Sequence, residues 1–143
     1  MCNLTITGLG FHTFSNNSDV IPLEESKPNS VFIFDDIACD KQNNVRSYFC
    51  MGRHKNVDSF YLCQTYTHIP KHLIRDNTNF LIIFKQDDLN LKHIYNDHVN
   101  TDLSFQEFRQ ACSECWKNEY GFLVVDKDSP LHKDVIRKVL ILS

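Results

Sequence analysis

The chain has 143 residues, of which 42% are hydrophobic, and its formal charge at pH 7 is −3. This length suits one domain with its own core, and the composition excludes a disordered chain. The N-terminus lacks the basic region and apolar core of a signal peptide, and no apolar run approaches the roughly 18 residues that span a bilayer. We therefore expect no membrane contact, and six cysteines that stay reduced in the nucleus or cytoplasm.

Residues 1–29 are rich in serine, asparagine and proline, which predicts an N-terminal arm or linker. A short strand is predicted at residues 4–7 and a helical turn near residues 23–26. Gly8 and Gly10 are a very weak phosphate-loop signal, and the P-loop pattern G-x-x-x-x-G-K-[ST] is absent from the sequence. Residues 30–128 are predicted to form the main domain. Residues 129–143 form a C-terminal tail, and its apolar run at 139–142 is either a strand or an unpaired end.

The main domain opens with four consecutive apolar residues, 31–34, followed by Asp35 and Asp36. An apolar run this short is typical of a strand buried on both faces, as in parallel α/β sheets. Such sheets bind ligands outside the carboxyl ends of their strands, where these two acids are expected. We interpret the run as a Walker-B-type strand, which holds magnesium and a water-activating acid in a nucleotide hydrolase. The alternative is a buried strand followed by an acidic turn.

Strands and helices are predicted to alternate along the rest of the domain. Apolar patterns predict strands at residues 58–64, 78–85 and 122–126, and helices at residues 41–54, 69–75, 87–98 and 104–118. Pro70 suits the first turn of its helix, and Ser104-x-x-Glu107 is a capping box. This alternation predicts an α/β fold with a mostly parallel sheet that helices cover on both faces.

Positive charge is concentrated between residues 41 and 75. Six basic residues and one acid there give +5, and the total of −3 then leaves −8 for the rest of the chain. A basic segment in an acidic protein indicates a local anion partner, either nucleotide phosphate or the nucleic-acid backbone. The alternative is a solvated basic face.

The polar residues expected around the strand ends suit phosphoanhydride hydrolysis. Asp35 is the candidate for the magnesium shell, and Asp36 is the candidate general base. Gln64, at the end of the next strand, would sense the γ-phosphate or position water. Arg75 and Arg53 are alternative arginine fingers that act on a neighbouring subunit. In the simpler alternatives, Asp36 only caps the following segment and Gln64 only makes a strand-end hydrogen bond.

Cys112 and Cys115, on the last predicted helix, have the spacing of half a zinc site. Zinc needs four ligands, and no second cysteine pair is suitably spaced. Both cysteines lie on the predicted inward face of an amphipathic helix. We therefore interpret them as core residues and expect no zinc.

The ordered series of motifs resembles the C-terminal half of the DNA-packaging ATPases in the FtsK–HerA branch of P-loop ATPases. The likeness extends over residues 22–128, and its motifs are Phe34-Asp35-Asp36, Gly52-Arg53-His54-Lys55-Asn56, Gln64-Thr65-Tyr66 and Ile69-Pro70 through Ile74-Arg75-x-Asn77. The resemblance is to packaging ATPases of the virus-like Polinton/Maverick transposable elements and of large double-stranded DNA viruses.

This resemblance implies that residues 30–128 are the Walker-B-containing half of a three-layer αβα P-loop NTPase domain. It implies ATP and Mg²⁺ as cofactors, double-stranded DNA as a partner, and a homo-oligomeric ring that drives DNA into a capsid. The ring would act inside the cell, with assembly at the virion as a further option. Asp35 and Asp36 correspond to the Walker B pair that binds magnesium. Gln64 corresponds to the polar residue that ends the next strand, and Arg75 lies where a trans-acting arginine is expected. The basic residues expected to contact DNA are Arg53, Lys55 and Lys71.

The chain departs from this family because the Walker A strand, loop and lysine are missing, and the second Walker B acid, often Glu, is Asp36. In such folds the Walker A strand lies beside the strand that ends in Gln64, so its loss predicts a slot with unpaired strand edges. A strand at residues 4–7 would fill part of that slot. We expect a truncated chain that binds ATP weakly and does not hydrolyse it efficiently without a Walker-A-bearing chain. The alternative function is a non-catalytic interaction module, or a domesticated remnant, that associates with a related ring ATPase or with DNA.

Overall fold

The computed structural model describes residues 10, 12–14, 17–37, 43–100, 103–128 and 136–138. The fold is mixed α/β, as the sequence predicts. The helices and strands of the described residues are β1 Ser30–Asp35, α1 Asn43–Met51, β2 Val57–Leu62, β3 Phe80–Ile83, α2 Asp88–His98, α3 Phe105–Cys115, β4 Leu123–Asp126 and β5 Ile136–Lys138. Short 3-10 turns precede β1, and further 3-10 turns and one π-helical turn, Lys71–Arg75, connect the described elements. No helix in this described part is long and apolar enough to cross a membrane.

The first sheet is a parallel pair, in which β1 and β2 align over their full length. Helix α1 forms the crossover between them and packs against one face of the pair. The ring of Tyr48 on α1 is 4.3 Å from the ring of Phe32 and 5.5 Å from that of Phe34. Tyr48 is buried and donates its hydroxyl to the Ile21 carbonyl at 2.7 Å. The predicted strand before the two acids therefore exists and pairs with the predicted next strand.

The second sheet is antiparallel, with the strand order β3-β4-β5. Leu81 lies beside Val125, and Ile83 lies beside Leu123. This differs from the predicted parallel continuation because two helices, α2 and α3, connect β3 to β4. One helix returns the chain for a parallel strand, whereas a second helix reverses it again, so the next strand runs antiparallel. Strand β5 was not predicted, because its Ile-Arg-Lys sequence is too short to show a strand pattern.

One face of each sheet carries exposed apolar side chains. On β1, Val31 and Ile33 are 58% and 63% exposed, and Phe60 of β2 lies on the same face at 48%. On β3, Phe80 and Ile82 are 57% and 50% exposed. The prediction of strands buried on both faces is therefore wrong. In the described part of the chain, α1 covers one face of the first sheet, and α2 and α3 cover one face of the second.

Helices α2 and α3 begin at the predicted caps. The Asp87 side chain accepts a hydrogen bond from the Asn90 backbone nitrogen at 2.8 Å. Ser104 and Glu107 form the reciprocal bonds of the predicted capping box. On α3, Phe108 is fully buried against α2 and the inner face of the second sheet.

Part of the predicted N-terminal arm contributes to the core. Val20 and Leu23 are 6% and 2% exposed, and they pack in one cluster with Val45 and Tyr48 of α1. The predicted helical turn is present at Leu23–Glu25. The strand predicted at residues 4–7 and the apolar run at residues 139–142 lie outside the described residues.

Candidate functional site

The carboxyl end of the β1–β2 pair presents the two predicted acids. Asp35, the last residue of β1, lies beside Leu62, the last residue of β2. The Asp36 backbone nitrogen donates to the Leu62 carbonyl at 3.1 Å, and the φ of Asp36 is 49°, in the left-handed region. Gln64 follows two residues after Leu62, and all three polar side chains are exposed. These three residues therefore follow the same, carboxyl end of the two strands. Their chemical roles stay predictions.

Two adjacent carboxylates suit one particular mode of magnesium binding. Mg²⁺ keeps several waters and takes one or two protein carboxylates together with phosphate oxygens. Across the described residues, no group of three or more His, Cys, Asp and Glu side chains could hold a metal ion. The magnesium role of Asp35 and Asp36 therefore stays a prediction.

The cysteine pair of α3 lies against the second core. Cys112 is fully buried, and Cys115 is partly buried against the same cluster. Burial raises the pKa of the Cys112 thiol to about 12, and the neighbouring Cys115 adds to the rise. Because the thiolate is the form that binds metals, this environment supports Cys112 as a core residue.

Arg75, one of the two predicted arginine fingers, lies in a largely buried cluster. Its Nη1 is 2.6 Å from Oδ2 of Asp97, and the two side chains are 14% and 18% exposed. Its guanidinium lies 4.8 Å from the centre of the Tyr66 ring, and the Tyr66 hydroxyl donates to Asp97 at 3.0 Å. Lys71, a predicted DNA contact, lies 3.4 Å from the other Asp97 oxygen. Asp97 on α2 therefore holds both cations of the π-helical turn against the protein.

The same cluster changes the ionisation of its members. His98 Nε2 lies 2.7 Å from the Tyr66 hydroxyl. Burial, together with the positive charges of Lys127 and Arg75, lowers the pKa of His98 to about 4. Burial raises the pKa of Asp97, but the Tyr66 hydrogen bond and the nearby positive charges outweigh it, so that pKa lies below its usual value. At neutral pH the cluster therefore contains a neutral histidine and a charged carboxylate.

Arg53 and Lys55 lie at the other end of the first sheet. The turn that contains them, Gly52–Lys55, directly precedes β2, whereas Asp35 lies at the carboxyl end of β1. Strands of this length separate the two ends by about 20 Å. Arg53 is 73% exposed and lies 3.3 Å from Asp128, and Lys55 is exposed. Arg53 therefore cannot reach the Asp35 carboxylate of its own chain.

The sequence matches the family described as Poxvirus A32 protein over residues 15–113. The chain belongs to the poxvirus A32 protein family. No curated protein and no solved structure matches the chain. The A32 family is related to viral DNA-packaging ATPases, which use ATP and Mg²⁺ and interact with DNA. This agrees with the coarser function expected from the sequence, a viral protein related to packaging ATPases.

In this A32-family chain the predicted residues form three separate groups. They are the Asp35–Asp36 strand end, the cluster around Arg75, and the exposed basic turn Gly52–Lys55. Sequence reasoning missed Asp97, which joins two of the predicted cations. Its partners lie 22 and 26 positions earlier in the chain, and no helical or strand spacing links residues so far apart.

Proposed function

We propose that this chain is the Walker-B-bearing part of an ATP-driven motor that moves double-stranded DNA into a viral capsid. The supporting observation is the pair of exposed acids at the carboxyl edge of two parallel strands, within the segment that matches the A32 family. In this proposal the domain is part of a P-loop NTPase of the FtsK–HerA branch. Its relatives would include the packaging ATPases of Polinton/Maverick elements and large DNA viruses.

The proposed chemistry is hydrolysis of the terminal phosphoanhydride of ATP. Mg²⁺, when bound with the nucleotide, offsets negative charge on the phosphates. Asp35 would hold this ion or its water shell. Asp36 would accept the proton of the water whose oxygen bonds to the γ-phosphorus, and ADP would leave with the bridging oxygen. Gln64 orients that water or senses the γ-phosphate. Because these side chains are exposed, a nucleotide can approach the carboxyl ends of β1 and β2.

A trans-acting arginine must extend from its own subunit towards the site of a neighbour. Arg53 is 73% exposed on a surface turn, whereas Arg75 is 14% exposed and paired with Asp97. These exposures support Arg53 as the finger in a homo-oligomeric ring. In this proposal Arg75 pairs with Asp97 and has a structural role.

The proposed DNA contacts are basic side chains near the first sheet. Arg53 and Lys55 share one exposed turn, and the Lys71 side chain is 49% exposed. Lysine and arginine bind the DNA backbone by neutralising phosphates, which requires this kind of exposure. The motor would act in the nucleus or cytoplasm of an infected cell, or at the assembling virion.

Efficient hydrolysis in this proposal needs a Walker A half, because the P-loop pattern is absent from these 143 residues. Strands β2 and β3 each pair with one neighbour among the described strands, so each has an edge without a described partner. Such edges accept a further strand. We place the missing Walker A strand between β2 and β3, beside the segment that leads to Gln64.

The proposal is tested by complementation with a separate chain that contains the Walker A half. We expect little phosphate release from Mg-ATP with either chain alone, and steady release from the mixture. Asp36→Asn should lower kcat of the mixture by about a hundredfold or more, as expected for loss of a general base. The matched control is Asp58→Asn, an exposed acid near the amino end of β2, which should stay within about twofold of the wild-type rate. Normal turnover by the isolated chain would contradict the truncated-site proposal.

The second candidate is a non-catalytic module that associates with an intact ring ATPase of the same family. The exposed apolar faces of both sheets favour this candidate, because such faces are normally covered by another element or chain. Failure of the complementation assay, together with binding of this chain to an intact homologous ring, would select it.

A further inference from the structure

A cleft of about 450 Å³ lies where β3 leaves the second sheet and α3 ends. Its lining consists of Phe84 and Lys85, which follow β3, and of residues 116–121, which follow α3. None of the residues assigned to the proposed ATPase site lines it.

The cleft presents two exposed aromatic rings. Tyr120 is 77% exposed and Phe84 is 53% exposed, and the Phe84 ring lies 5.6 Å from that of Phe122. Tyr120 has a φ of 62°, a left-handed conformation that is costly for a bulky residue. The next residue must be glycine, since a Cβ on Gly121 would collide with the Cys115 carbonyl oxygen. The turn therefore holds an aromatic side chain in solvent at the expense of backbone strain.

The rim of the cleft combines these rings with positive charge. Lys85 directly follows Phe84 and is exposed. Lys117 is 65% exposed and lies 2.7 Å from Glu114, and Glu119 adds one carboxylate to the lining. Aromatic faces beside lysine are the combination that binds a stacked base and its phosphate. An aromatic ligand without an anionic group would make no ion pair with Lys85.

We propose that this cleft binds a nucleotide whose base is not paired, with the base stacked on Tyr120 and Phe84 and the phosphate near Lys85. The source is either a free nucleotide or single-stranded DNA, and both offer the same chemistry. A base inside a duplex is already stacked and cannot enter such a cleft. This site is separate from ATP hydrolysis, and its test needs neither ATP nor a second chain.

Trp116 provides a direct probe, since it is the single tryptophan of the chain and lines the cleft. Its indole Nε1 donates to the Ile83 carbonyl at 3.2 Å, which fixes the ring.

The full chain is titrated at low salt with dT12 and, separately, with dTMP, and Trp116 fluorescence is followed. We expect saturable quenching, about tenfold weaker binding in both Tyr120→Ala and Phe84→Ala, and an affinity within about twofold of wild type in Tyr120→Phe. The control is Phe80→Ala, a similarly exposed phenylalanine at the start of β3 and outside the cleft, which should bind as wild type does.

Comparison of the two probes identifies the source. Equal affinity for dTMP and dT12 assigns the cleft to free nucleotides, and tighter binding of dT12 assigns it to single-stranded DNA. The absence of quenching by either probe up to about 1 mM overturns the proposal. Wild-type affinity in both alanine variants also overturns it. If either alanine variant is less stable than the wild type, the test uses Lys85→Glu instead, because Lys85 is exposed and its replacement should leave the fold intact. Unchanged binding in Lys85→Glu then overturns the proposal.

Discussion

Asp97 is the residue on which the cluster around Arg75 depends. It accepts a hydrogen bond from Tyr66 and pairs with both Arg75 and Lys71. The Arg75 side chain is 14% exposed, and its Nε has no hydrogen-bond partner among the described residues. A buried cation that loses its carboxylate costs more free energy than the intact pair contributes. Asp97 therefore holds the π-helical turn to α2, which favours a structural role for Arg75.

His98 makes the stability of this cluster depend on pH. The pKa of His98 is lowered from 6.5 to about 4 by burial and by Lys127 and Arg75, against the opposing charges of Asp97 and Asp76. Between these two values the unfolded chain binds a proton that the folded chain does not, so stability falls as pH drops from about 6.5 to 4. Above pH 6.5 this contribution is fully present.

We test this with His98→Gln, which does not titrate and keeps an N–H group that can bond to the Tyr66 hydroxyl. Urea midpoints are measured from pH 7.5 to 4.5 for both proteins. The midpoint of the wild type should decrease more steeply below pH 6.5 than that of the variant. Parallel curves would show that His98 does not have the lowered pKa.

At the level of single elements, the start of α3 is the most sharply defined by sequence. Ser104 accepts from the Glu107 backbone nitrogen, and the Glu107 side chain accepts from the Ser104 nitrogen at 2.8 Å. Ser104→Ala should lower the free energy of unfolding by about 1 kcal/mol, since a helix end loses its cap. Ser113→Ala, on an exposed position of the same helix, is the matched control and should be neutral or stabilising by about 0.5 kcal/mol. Equal destabilisation by both changes, measured by chemical denaturation, would exclude the cap as the cause.

Elements fixed by local chemistry were predictable, and those fixed by distant contacts were not. The caps at Asp87 and Ser104 and the strand before Asp35 follow from short patterns, and the structure contains them. The two helices between β3 and β4 were predicted from local patterns, and their number already implies that β4 runs antiparallel to β3, so the expected parallel strand was an error in reading the topology. The pairing of Arg75 with Asp97, in contrast, joins a turn to a helix 22 residues later, so the sequence indicated the cation without its partner.

For the whole molecule, the most unusual feature is that each sheet has one face that no described helix covers. Val31, Ile33, Phe60 and Leu62 are between 46% and 63% exposed, and the strand register places them on one face of the first sheet. Grouped apolar side chains of this kind mark a surface for association, whereas a single exposed apolar residue does not. The chain alone is therefore expected to associate at raised concentration, whichever of the two candidate functions holds.

Sedimentation velocity between about 5 and 200 μM tests whether this face drives that association, a range chosen because weak contacts form at micromolar concentrations and above. Ile33→Lys and Phe60→Lys place a charge in the middle of the face and should shift the protein towards monomer. Leu89→Lys is the matched control, because Leu89 is 68% exposed and lies on helix α2 rather than on a strand. It should associate as the wild type does. Association of Ile33→Lys and Phe60→Lys equal to that of Leu89→Lys would show that the open face of the first sheet is not the contact surface.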